Sequence, residues 1–110
     1  MKLPNADGCR VDEYKIRNYL LSRSHPDGAS KAEFFERFGF KISAWHAMAK
    51  ALCNHGRNNN VVKTVVSAYG VRYIVEGHLD TPSGRRPVVR SVWIVEKETE
   101  EPRLITAYPA

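Results

Sequence analysis

A chain of 110 residues and 12.5 kDa has room for one domain with an apolar core that needs no metal or disulfide staple, and a second domain does not fit. Hydrophobic residues at 43% and charged residues at 26% argue against disorder and against a coiled coil. Lys and Arg number 17 against 12 Asp and Glu, a net charge of +5 that permits binding to a polyanion without requiring it.

The first residues lead into polar sequence with no apolar leader, and no apolar run approaches the ~18 residues of a membrane span. The expected location is the cytoplasm, with no membrane partner. Cys9 and Cys53 stand far apart, outside any CxxC or Cys/His metal spacing, so buried or free thiols are expected rather than a disulfide or a zinc site. No cofactor motif is present.

Val11 to Ser22 reads as a first helix, with Asp12 as its cap and Tyr19, Leu20 and Leu21 continuing an apolar stripe. His25-Pro26-Asp27-Gly28 breaks it. Ser30-Lys31-Ala32-Glu33 is a capping-box pattern for a second helix that buries Phe34, Phe35 and Phe38 and stops at Gly39. Ser43 is the expected cap of a third helix carrying Trp45, Met48, Leu52 and Cys53, with His55 in its last turn and Gly56 as its left-handed stop; Asn58-Asn59-Asn60 is the hinge after it. From Val61 the residues turn β-branched and aromatic, giving strands over about Val61 to Val66, Val71 to Leu79, Val88 to Glu96 and Arg103 to Tyr108. The fold class is therefore α+β, three N-terminal helices packed on one face of a four-stranded antiparallel sheet, a single domain over 1–110. The other sheet face is the candidate working surface.

Alternation along the second strand puts Arg72, Ile74, Glu76, His78 and Asp80 on that open face. If the Pro82-Ser83-Gly84 loop closes an ordinary hairpin with partners whose numbers sum to roughly 168, His78 stands opposite Arg90, and the next turn brings Thr106 and Tyr108 beside Val92 and Arg90; a slip in register would separate them. A His, an Arg, a Thr and a Tyr are the groups a metal-independent RNA-cleaving site uses. A base near neutrality takes the ribose 2′-OH proton, a guanidinium stabilises the phosphorane, and hydroxyls hold phosphate. Cross-strand pairing is the plainer alternative, with Glu76 or Asp80 satisfying Arg72 and Arg90 and His78 an ordinary surface residue. His25 and Lys31 flank the start of the second helix and can form an anion site, or His25 is simply a turn residue. These three, His25, Lys31 and Arg72, are the nucleic-acid-binding candidates beside the catalytic candidates His78, Arg90, Thr106 and Tyr108.

Leu3-Pro4-Asn5-Ala6, the stretch from Tyr19-Leu20-Leu21 through His25-Pro26-Asp27-Gly28 to Lys31-Ala32-Glu33-Phe34-Phe35, and Arg90-Ser91-Val92-Trp93-Ile94 with Pro102-Arg103-Leu104-Ile105-Thr106 resemble an uncharacterised bacterial domain-of-unknown-function family. More remotely, helices before a sheet that ends in Arg-Leu-Ile-Thr-Ala-Tyr are similar to the barnase, EndoU, colicin and RelE superfamily of ribonucleases, many of them toxins. That resemblance implies RNA cleavage on the sheet face and an acidic antitoxin or immunity partner to cover it, as in toxin–antitoxin or contact-dependent systems. A non-enzymatic binding module and a homodimer paired through an exposed edge strand are the rival readings.

Overall fold

Four runs of β-branched and aromatic residues set the frame. In the computed structural model, which describes residues 1–25 and 29–110, they form β1 (Asn60–Ser67), β2 (Gly70–His78), β3 (Val88–Glu96) and β4 (Arg103–Pro109). These pair as one antiparallel sheet in the order β1-β2-β3-β4. Three helices precede the sheet: α1 (Glu13–Lys15), which runs directly into a π-helical stretch (Ile16–Leu20), α2 (Ala29–Arg37) and α3 (Trp45–Asn58). The fold is α+β, with the helices in the first half of the chain.

The core lies between the helices and one sheet face. Ile16, Leu20, Phe35, Met48 and Leu52 come from the helical side and Val75, Val89, Trp93, Leu104 and Ala107 from the sheet. The N-terminal segment straps this layer to both sheet edges. Val61 N–H donates to the Met1 carbonyl at 2.7 Å, and Arg10 exchanges hydrogen bonds with the Pro102 carbonyl (2.8 Å) and Leu104 N–H (2.9 Å) at the start of β4. Cys9 and Cys53 form a disulfide between this strap and α3, contrary to the expectation of free thiols. Their 44-residue separation hides the pairing from any spacing rule.

The helix boundaries follow different signals from those expected. Asp12 does occupy the N-cap position of α1, without a side-chain cap bond, and is ion-paired to Arg10 at 3.3 Å. Ser30 falls inside α2, which already begins at Ala29, and Ser43 lies in a 3-10 turn (Ile42–Ala44) leading into α3. Gly39 does take the left-handed conformation, φ +98°, after α2. Gly56 does not stop α3: it lies inside the helix, where a Cβ would stand 2.9 Å from the Trp93 ring, so its role is close packing of α3 on β3. The expected break spans Pro26, Asp27 and Gly28, which are outside the described residues.

The β2–β3 register and a bulge in β4 aim the functional face. The β2–β3 connection is closed by Leu79 N–H on the Pro87 carbonyl, 2.9 Å, and puts His78 opposite Val88 and Glu76 opposite Arg90. His78 therefore does not face Arg90, as a hairpin centred one residue later would have it. In β4 a bulge at Ile105 pairs Leu104 with Trp93 and Thr106 with Val92. Simple alternation would put Leu104 and Thr106 on one face; the extra residue sends Leu104 into the core and Thr106 to the open face.

Candidate functional site

Three cross-strand rows occupy the open face toward the β2–β3 loop: His78 with Val88, then Glu76 with Arg90 and Tyr108, then Ile74 with Val92 and Thr106. Val92 and Ile94, in the central strand, are nearly covered and make an apolar floor. Arg90 Nε donates to Glu76 Oε1 at 2.7 Å, and Tyr108 is its second partner. The hydrogen bond with Glu76, then that with Tyr108, raises the guanidinium pKa further above its ordinary value. So the cross-strand pairing expected as the plainer reading exists, and it fixes Arg90 beside Tyr108 rather than removing it from the face.

Thr106 connects this face to the helical layer. Its hydroxyl donates to Tyr19 Oη at 3.3 Å, across 87 residues of chain. Around Tyr19 stand Lys15, with Nζ 5.0 Å from the ring centroid, Lys31 at 5.3 Å, and the His25 ring edge-on at 4.9 Å. Burial raises the Tyr19 pKa, but the hydrogen bonds with Thr106 and Lys31 and the charges of Lys31 and Lys15 outweigh it and leave the phenol below its ordinary value. Two ammonium groups, an imidazole, two phenols, a threonine hydroxyl and a guanidinium thus run along the β4 side of the molecule. Such a strip offers positive charge for a phosphodiester and several groups able to move a proton.

His25, Lys31, Thr106, Tyr108 and Arg90 are accordingly gathered along one strip. Arg72 is not among them: it lies opposite Ile94, four residues along the sheet from the Arg90 row, roughly 13 Å at a strand's rise per residue. His78 sits one row from Arg90 and turns toward the loop. Its Nδ1 lies 2.7 Å from the Arg86 carbonyl, which can only accept, so Nδ1 carries the hydrogen and the neutral ring keeps its lone pair on Nε2. Asn54, Asn58, Asn59, Asp80 and Arg86 join it around a polar cavity of about 110 Å³, where Arg86 pairs with Asp80 at 2.7 Å.

Sequence reasoning missed Tyr19, which was absorbed into the apolar stripe of the first helix, and Lys15, which drew no notice. Their spacing of four residues was the available signal, since it sets a Lys over an aromatic ring on one helical face. It also gave no hint of the buried pair formed by His55 and Ser91. Ser91 lies 2.8 Å from His55 Nδ1, the geometry of a nucleophile and its base, but the residues are 0% and 2% exposed. Trp93 Nε1–H donates to Ser91 Oγ at 2.8 Å, and His55 Nε2–H is shared by the Gly77 and Val89 carbonyls at 3.0 and 2.9 Å. Every group is satisfied and both residues are buried, His55 only edging the cavity beside His78; this is a structural tie between α3 and the sheet.

No group of three or more His, Cys, Asp or Glu stands together as a metal cluster among the described residues. None of the described helices is long and apolar enough to cross a membrane. The chain matches, over residues 2–110, a family described as a domain of unknown function, DUF6883. No curated protein matches it. Among solved structures it is similar to a chain of a contact-dependent growth inhibition toxin–immunity protein complex from Klebsiella pneumoniae 342, with 26% identity and a TM-score of 0.71. The alignment covers 91% of this chain and 98% of that one.

Proposed function

The chain belongs to the DUF6883 family, and we propose that it is a toxin domain that cleaves RNA without a metal ion, with an acidic immunity or antitoxin protein as its partner. The observation that carries this reading is that His25, Lys31 and Thr106 meet at Tyr19, with Tyr108 and Arg90 paired in the next cross-strand row beyond Thr106. The similarity to a chain of a toxin–immunity complex supports the biological setting, and the net charge of +5 suits both an RNA substrate and an acidic partner.

In this reading the 2′-hydroxyl of a ribose attacks the adjacent phosphorus, the 5′-oxygen leaves, and a 2′,3′-cyclic phosphate results. Arg90, held by Glu76, stabilises the charge that gathers on the phosphorane oxygens. Thr106 and Tyr108 hold the phosphate by hydrogen bonds, and Lys31 adds attraction for the backbone. His25, beside Tyr19, takes the 2′-proton; His78, with a lone pair on Nε2, is the other candidate for that task. The cytoplasm is where such a domain acts. The Cys9–Cys53 bond belongs to an oxidising phase of its life, such as passage outside a cell.

The test is incubation of the purified chain with total RNA in excess EDTA, with new ends mapped by sequencing. The parent is expected to cut, and Arg90→Ala to cut about 10²–10³-fold more slowly. His25→Ala and His78→Ala then divide the base: whichever abolishes cleavage holds the role. The Arg90–Glu76 pair also suits a non-enzymatic binding module, in which that surface is a static contact. That second reading takes over when RNA stays intact with the parent while salt-sensitive binding persists.

A further inference from the structure

Tyr19 packs partly against the core, yet its hydroxyl leaves that layer. It is carried by the π-helical stretch, whose wide turn is marked by Leu21 N–H donating five residues back to the Ile16 carbonyl at 2.9 Å. Ile16 and Leu20 of the same stretch are sealed in the core. Tyr19 instead reaches the β4 side, where its oxygen meets Thr106 Oγ1 and its ring lies beside two ammonium groups and an imidazole. π-Helical turns concentrate at functional sites because they displace one side chain from the regular helical face. A tyrosine meant only for the core would not be surrounded by Lys15, Lys31 and His25.

Resting on the RNA-cleavage reading above, we infer that Tyr19 is a catalytic residue of this chain and gives its phenolic proton to the leaving 5′-oxygen. The 2′-hydroxyl loses its proton to the base, the O2′–P bond forms, and the P–O5′ bond breaks with its electron pair on O5′. That oxygen takes the proton from Tyr19, giving a 5′-hydroxyl end, a 2′,3′-cyclic phosphate and a phenolate. The protonated base and the phenolate then return to their starting states by exchange with water.

The surroundings suit a proton donor. Lys15 and Lys31 stabilise the phenolate that the transfer creates, and Thr106, donating to Tyr19 Oη, stabilises the same negative oxygen. Thr106 is also the residue that the β4 bulge turns to the face shared with Arg90. One link therefore joins the proton donor to the surface on which the phosphate rests.

A substrate with a good leaving group distinguishes this role from a structural one, because 4-nitrophenolate departs without needing a proton. Tyr19→Phe is expected to cut RNA about 10²–10⁴-fold more slowly than the parent, yet to release nitrophenol from uridine 3′-(4-nitrophenyl phosphate) within about threefold of it. Equal losses on both substrates, or parental rates on both, overturn the assignment. A parent that leaves RNA intact removes the RNA-cleavage reading itself, and that outcome is visible before any variant is compared; a parent that cuts RNA but not the ester sends the test to the fluorotyrosine protein. Should Tyr19→Phe fail to fold, 3-fluorotyrosine at position 19 gives the second measure. Its more acidic phenol should move the alkaline limb of kcat to lower pH, and an unmoved limb overturns the proposal.

Discussion

His55 shows how one buried side chain can be read from its neighbours. Two carbonyls can only accept, so Nε2 must carry a hydrogen; Ser91, which already accepts from Trp93, gives its own hydrogen to Nδ1. The ring is thus held neutral. Burial pushes its pKa below the ordinary value, more than the hydrogen bonds to the Gly77 and Val89 carbonyls lift it. A base whose folded-state pKa is depressed binds fewer protons when folded than when unfolded, so its contribution to stability is fully present above the unfolded value, about 6.5. It is lost progressively as pH falls from there toward the folded value. Urea midpoints measured across pH 5 to 8 should therefore drop on the acid side, and His55→Gln should flatten that part of the drop while lowering stability throughout. Ser91→Ala should cost about 1–3 kcal/mol, because Trp93 Nε1–H and His55 Nδ1 both lose their buried partner.

At the scale of elements, the disulfide is the connection that composition did not suggest. It closes a loop between Cys9 and Cys53, 44 residues apart, and so ties the N-terminal strap and α1 to α3. Reduction, or Cys9→Ala with Cys53→Ala, should cost about 2–4 kcal/mol and lower the thermal midpoint by roughly 10 °C or more. A domain that works in the cytoplasm must nevertheless stay folded when reduced, so a chain that unfolds entirely in dithiothreitol at 25 °C would count against the proposed place of action. The strands, by contrast, were legible to within a residue or so, because β-branched runs between turn signals need no distant information. Their faces were legible too: centring the β2–β3 turn on residue 84 rather than 83 shifts the pairing by two residues, which changes partners but preserves faces. Hence His78 lost Arg90 as its opposite number, while Arg90, Thr106 and Tyr108 kept their common surface. The setting of Tyr19 was not legible, since it is assembled by Lys31 and Thr106, 12 and 87 residues along the chain.

For the molecule as a whole, the question is which part of a +5 surface a polyanion would follow. Many cations are already engaged: Arg17 with Glu13, Arg23 with Glu36, Arg86 with Asp80 and Arg103 with Glu96. Lys15 and Lys31 stand over Tyr19 at the β4 side, whereas Lys63 and Arg72 lie toward the β1 edge. These two groups mark alternative tracks for RNA, one past the candidate site and one across the width of the sheet. Counterion release separates them, because each cation that neutralises a phosphate adds about 0.7 to the slope of log affinity against log salt for a single strand. With an uncleavable 2′-O-methyl RNA, Lys15→Ala and Lys31→Ala should each reduce that slope by about 0.7, while Lys63→Ala and Arg72→Ala should leave it unchanged. Loss of slope in the second pair alone would carry the strand away from Tyr19, and with it the cleavage site proposed for this chain.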